Sequence, residues 1–226
     1  MRRPPPESVA ELMLRANALA KHSIGEIAAA LGIPLPSKPK RAKGFVGQLM
    51  ELALGASPDA FDQPDFPHLG IELKTIPIGV NAHRLIPRES TFVCSVSMAT
   101  AGEETWEGSR LLRRLQRVLF IPIDAANIAA LPHRYVHRPY LWQPCEEELA
   151  ILRTDWEDLM GALGAGYTSS ISAHRGRLLQ LRPKARSSRV RTIGTGEDGV
   201  AEVLPLGFYL RARATHAILV HGRLPL

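Results

Sequence analysis

Cysteine is nearly missing from this chain. Cys94 and Cys145 are the only two among 226 residues, and neither has a CxxC or histidine-rich neighbourhood. A disulfide framework is therefore not implied, and a zinc site is not expected. No apolar run approaches the ~18 residues that a membrane-spanning helix needs. The basic opening, MRRPPPESVAEL, has no apolar segment of the kind a secretory leader carries. There is no internal repeat and no low-complexity tract beyond short proline runs. Together these absences lead to the expectation of a soluble cytoplasmic protein with no membrane contact.

What is present is ordinary globular material, 45% apolar and 22% charged, enough for one substantial core or two small lobes. Lysine and arginine number 28 against 22 acids, a net charge of +6. That excess suits a polyanionic partner without requiring one.

The helix signals come early. PPPESVAELMLRANALAKH reads as a helix after a proline stop, and Ser23 with Glu26 forms a capping box for a second helix ending at Gly32. IPLPSKPKRAK is a basic, proline-rich connector, and GFVGQLMELAL is a third helix closed by Gly55. DFPHLGIELKTIP then reads as two short strands around a turn at PHLG, followed by a loop over 77–90 and a buried strand, TFVCSVS. TWEGSRLLRRLQRVLFIPID is expected to be a basic amphipathic helix running into a strand. CEEELAILRTDWEDLMGAL reads as a long acidic helix closed by Gly164 and Gly166. The last third holds a strand (RLLQLRP), a basic loop over 182–199, the segment GFYLRARA and a terminal helix. Strands and helices mixed in this order indicate an α/β or α+β chain with a mixed sheet.

Chemistry concentrates in DFPHLGIELKTIP. On a strand, Glu72 and Lys74 share a face while Ile71, Leu73 and Thr75 point the other way. A tight return at Gly70 would bring Asp65 back to Glu72. Two carboxylates and the main-chain carbonyl of Leu73 would suit a hard divalent cation such as Mg2+. Lys74 would then orient or deprotonate an attacking water. In the preceding helix Lys43, Gly47 and Glu51 line one face, and Glu51 interrupts an apolar surface, so it needs a partner. The competing reading is a surface ion pair worth ~0–1 kcal/mol. The spacing alone does not exclude it.

A wider similarity bears on that choice. GQLMELALGA, DFPHLGIELKTIP, TFVCSVS, TWEGSRLLRRLQRVLFIPI, LLQLRPKA and LPLGFYLRA, in that order from about residue 7 to 215, resemble the MutH family of DNA mismatch-repair nicking endonucleases. The resemblance implies an α/β, restriction-endonuclease-like mixed β-sheet flanked by helices, with two arms forming a DNA cleft. The chain would be a single endonuclease domain, with residues from roughly 20 to 105 as the arm carrying the catalytic hairpin and the remainder as the DNA-reading arm. It also implies Mg2+-dependent incision of the unmethylated strand at hemimethylated GATC, stimulated by MutL.

Residue by residue, the family's metal-binding acids fall on Asp65 and Glu72, its catalytic lysine on Lys74 and its helix glutamate on Glu51. Lys43 matches a basic position facing DNA. Where the family pattern carries a lysine inside TWEGSRLLRRLQR, this chain has Arg114, which keeps a phosphate-binding charge but cannot act as a base.

Arg182, Lys184, Arg186, Arg189 and Arg191 crowd the other end of the chain. As a charge run this can be no more than a solvated loop, whereas an arginine fork can also read guanine in the major groove. The resemblance selects Arg182 and Lys184 as DNA contacts, and Tyr209 as the tyrosine beside the adenine whose methylation is sensed.

Two rival functions remain. KHSIGEIAAALGIP resembles the first helix and turn of a helix-turn-helix repressor, but Pro34, Pro36 and Pro39 stand where the recognition helix should begin. A GATC-cutting restriction endonuclease would use the same metal chemistry on both strands. One catalytic hairpin and no internal repeat favour a monomer that nicks double-stranded DNA.

Overall fold

Polar caps and left-handed glycines set the helix boundaries. In the computed structural model, the described residues are 3–37, 44–57, 62–81, 84–125, 130–167, 175–184, 190–196 and 199–225. Ser8 caps α1 (Val9–Leu19) by accepting the Glu11 N–H. Ser23 and Glu26 cap α2 (Ile24–Ala30) reciprocally. Helix α3 (Phe45–Leu54) ends at Gly55, whose φ of 82° is a conformation that glycine adopts without strain.

The chain divides into two units. The first comprises Met1–Glu89, Gln116–Gln143 and Leu219–Gly222. Its sheet has the order β2-β1-β4-β5, built from β1 (Glu72–Asn81), β2 (Arg84–Pro87), β4 (Val118–Asp124) and β5 (Tyr140–Trp142). β1 runs parallel to β4 in the register Glu72↔Val118 and antiparallel to β2. Leu12, Ala16, Ile27, Leu49, Met50 and Leu54 of the three helices form one core with Phe66, Ile71, Leu73, Leu119 and Ile121. β4 is buried over nearly its whole length, as expected of an inner strand covered on both faces.

The second unit comprises Ser90–Leu115, Pro144–Ile218 and Arg223–Leu226. It contains an antiparallel sheet of order β3-β9-β6, formed by β3 (Thr91–Ser95), β9 (Leu206–Leu210) and β6 (Leu179–Pro183). A two-stranded ribbon joins β7 (Thr192–Gly196) to β8 (Gly199–Val203). Helices α4 (Arg110–Leu115) and α5 (Glu146–Gly164) belong to this unit, and α6 (Ala212–His221) begins in it. One mixed sheet, one antiparallel sheet and the helices around them make this an α/β chain, consistent with the restriction-endonuclease-like fold that the resemblance implies. Among the described residues no helix is long and apolar enough to cross a membrane.

Several expected elements differ. The Asp65 side of the hairpin is not a strand. It is a single bridge, Phe66 to Ile71, around the 3-10 turn Pro67–Leu69. Pro64 and Pro67 flank the segment, and proline cannot donate to a ladder. The expected loop over 77–90 is largely strand, because β1 continues to Asn81 and returns as β2. Pro77 is tolerated there because its carbonyl accepts the Arg88 N–H on the β2 side. Its missing N–H falls on that same side, one residue before the β2 ladder begins at Ile78. Part of the expected loop over 182–199 is β7.

Candidate active site

β1 lies between β2 and β4, so a charge on it is not automatically solvated. Glu72 is 1% exposed, and the Lys74 Nζ donates to its Oε1 at 2.7 Å. The period of the strand puts both side chains on one face, as the spacing predicts. Burial removes the surface ion pair as a description of this site. Taking a carboxylate out of water costs several kcal/mol, and one lysine offsets only part of that cost.

Asp65 joins the pair through the backbone. Its Oδ2 accepts the Leu73 N–H at 2.7 Å, and its main-chain carbonyl accepts the Ser57 N–H at 2.8 Å. The first contact fixes its carboxylate beside β1, and the second ties it to the turn that follows α3. Gly70, at φ 63°, makes the return between Asp65 and Glu72 possible. The Asp65 carboxyl is pushed up to about 6, first by burial and then by the charge on Glu72. The Leu73 N–H and Lys74 oppose that rise, and Glu51 adds to it. Glu51 is half-buried on α3, whose Gly47 faces Thr75 of β1 at 3.9 Å from a Cβ added there. Asp65 therefore feels the charges of Glu72, Glu51 and Lys74 at one place.

This donor set fits a hard divalent cation. It consists of carboxylate oxygens with no thiol or imidazole, carries more negative charge than Lys74 balances, and includes a carboxyl whose pKa is raised by burial and by the charge on Glu72. Among the described residues no group of three or more His, Cys, Asp or Glu side chains is gathered tightly enough to enclose an ion by itself. An ion held by two carboxylates would keep waters or take phosphate oxygens in its other positions. A cavity of about 440 Å³ among α1, α2 and α3 is lined by Leu19, Ile27, Leu31 and Ala53 with Arg3, His22 and Glu26. None of the site carboxylates lines it.

The residues expected to read DNA lie in the second unit. Arg182 on β6 and Tyr209 on β9 face each other, with the guanidinium carbon 5.6 Å from the ring centroid. Lys184 is exposed just past β6. Its Nζ stands 3.3 Å from the centroid of Phe92, and Phe92 meets Tyr209 edge-on at 5.3 Å. These are cation–π and edge-to-face geometries. Arg114 is half-buried on α4 and is not part of that cluster. Lys43, Arg186 and Arg189 lie outside the described residues, and Arg191 is exposed.

Sequence reasoning missed three residues here. Phe92 reads as core within TFVCSVS, yet it forms the middle of the cation–aromatic cluster. Gly207 lies beneath it: a Cβ there would come within 2.8 Å of the Phe92 ring. A glycine immediately before Phe-Tyr is a readable sign of close approach. Asp155 is buried on α5 and accepts the N–H groups of Arg177, Leu178 and Leu179, pinning the entry to β6. Its position on the apolar stripe between Leu152 and Leu159 was the available signal.

Comparison with known proteins bears on the same regions. The family model described as "DNA mismatch repair enzyme MutH" matches residues 54–155, which include Asp65, Glu72, Lys74 and Arg114. A DNA mismatch repair protein MutH from Shewanella sp. strain W3-18-1 is 43% identical over 216 residues, covering 95% of this chain and 96% of the relative. One from Klebsiella pneumoniae strain 342 is 44% identical over the same length, covering 95% and 92%. With similarity of that level along nearly its whole length, the chain belongs to the MutH family of DNA mismatch repair endonucleases.

Proposed function

We propose that this protein is a Mg2+-dependent endonuclease that nicks the unmethylated strand of double-stranded DNA at hemimethylated GATC. It works with MutL, as a monomer, in the cytoplasm. The observation that carries the catalytic part is the buried Glu72–Lys74 pair with Asp65 fixed beside it. The family membership supports the substrate and the repair setting.

Asp65 and Glu72 would hold Mg2+ through their carboxylate oxygens, and Glu51 would hold or position a second ion. When bound, Mg2+ supplies Lewis-acid polarisation of the scissile phosphate and acidifies water. Lys74 is held by Glu72. It orients the water that attacks phosphorus and stabilises charge on the phosphate. Arg114 contributes a phosphate contact, and Lys43 does the same. Arg182 pairs its guanidinium fork with guanine, and Lys184 adds a second donor. The rigid ring of Tyr209 stands at the adenine N6 edge and rejects an added methyl by overlap.

Cleavage of a duplex carrying one GATC site by wild-type protein and Glu72→Ala, with Mg2+ and with EDTA, tests the site. Wild-type cleavage is expected only with Mg2+. Glu72→Ala is expected to lose cleavage by at least about three orders of magnitude while binding the duplex within about two-fold of wild type. Wild-type rates in Glu72→Ala would remove the carboxylate site from the mechanism.

A further inference from the structure

The chain before α1 is tied to the ends of the segments that carry the three carboxylates. α3, which bears Glu51, finishes with carbonyls that have no partner inside the helix. Arg15 of α1 donates from Nη1 to one of them, Leu54 O, at 3.0 Å. The same Nη1 donates to Pro4 O at 2.6 Å. Arg3 reaches another of these carbonyls, Ala53 O, at 3.4 Å.

The strap then packs on the turn. A Cβ on Gly55 would sit 2.4 Å from Pro4 O, so only glycine lets the segment lie against the helix end. Two residues farther on, Ser57 N–H holds the carbonyl of Asp65. At its other end, Pro6 O lies 2.6 Å from the Nε2 of His68, which sits in the turn between Asp65 and Glu72. Glu11, one turn before Arg15 on α1, holds the guanidinium in place. Arg15 is mostly buried, with 11% of its side chain exposed, so its bond to Leu54 O is partly shielded from water.

We infer that Arg15 and the segment Arg3–Pro6 form a clamp that sets the spacing of the carboxylate site. The clamp fixes the end of α3 relative to the Asp65–Glu72 turn, and so sets Glu51 against the Asp65 and Glu72 carboxylates that would hold the ion. Arg15 is a positioning residue, since it donates to backbone carbonyls and not to the site itself. Outer partners that orient metal ligands commonly change metal affinity by about 10–100-fold. The effect should therefore appear in metal binding and in kcat, while DNA affinity stays unchanged.

The inference rests on the metal-site reading above, and calorimetric titration of the full-length protein with Mn2+ separates the two. Wild-type protein and Asp65→Asn test the site, whereas Arg15→Ala, Arg15→Lys and His68→Ala test the clamp. Arg15→Ala is expected to weaken Mn2+ binding by about ten-fold and to lower kcat similarly, with KM for the duplex within about two-fold. Arg15→Lys, which still has three N–H groups for the two carbonyls, should recover most of both. His68→Ala, at an exposed position, should weaken Mn2+ binding in the same direction, and it decides the matter if Arg15→Ala does not fold. A wild-type titration lost in Asp65→Asn but unchanged in Arg15→Ala and His68→Ala, measured well below their unfolding temperatures, overturns the clamp alone. A wild-type protein with no titration that depends on Asp65 overturns the site and the clamp with it.

Discussion

At neutral pH the carboxyl of Asp65, pushed up to about 6 by burial and by Glu72, is ionised against its surroundings. Its folded value lies above the ordinary 3.8. Its contribution to stability is therefore fully present below that value and is lost as pH rises through about 6. Asp65→Asn keeps an acceptor for the Leu73 N–H but carries no charge. In EDTA at pH 7.5 it should stabilise the protein by about 1–3 kcal/mol, a gain that shrinks toward zero near pH 4. Urea unfolding at the two pH values measures this. Mg2+ should raise the unfolding midpoint of wild type and not of the variant. A difference independent of pH would contradict the assignment of strain to this carboxyl. Much of the site is legible from residue spacing, since Glu72 and Lys74 do share a face. The burial of Glu72 is not legible, because β1 pairs there with Val118 of β4, a partner from elsewhere in the chain.

Among the elements, the helices declared themselves best. The Ser23–Glu26 box and Gly55 are local signals, and each marks a helix end in the structure. Strands did so less well. Pro77 and Gly79 mask the length of β1, and β5 has only three residues, too few for a pattern to show. The β3-β9-β6 sheet makes its own prediction. Gly207→Ala forces a methyl to within 2.8 Å of the Phe92 ring and 3.2 Å of the Cys94 carbonyl. The ring must shift, which disturbs its edge-on contact with Tyr209, at a cost of about 1–3 kcal/mol in stability. Discrimination between unmethylated and fully methylated sites should fall in this variant. Tyr209→Ser should give the same loss of discrimination without a methyl to displace the Phe92 ring. Unchanged discrimination in both would remove the aromatic pair from methylation sensing.

At the scale of the molecule, the carboxylates belong to one unit and the cation–aromatic cluster to the other. The two jobs should therefore separate by mutation. Arg182→Ala should weaken duplex binding and reduce the slope of log affinity against log salt by about one if its main contact is a phosphate. It should instead relax sequence preference by about 1–3 kcal/mol if it reads a base. Mn2+ binding to the free protein should not change. A lost metal titration in Arg182→Ala would contradict this division of labour. The net charge of +6 supports the salt dependence but could not locate it. Composition reports charge without saying where the chain collects it.

The central claim is a nick confined to one strand, and strand-resolved cleavage tests it most directly. The substrate is a duplex with a single GATC site, prepared unmethylated, hemimethylated and fully methylated, and incubated with Mg2+ with and without MutL. Incision of only the unmethylated strand of the hemimethylated duplex, and none of the fully methylated one, is the predicted result. Coincident cutting of both strands would instead mark a restriction endonuclease, and no cutting under any of these conditions would contradict the account outright.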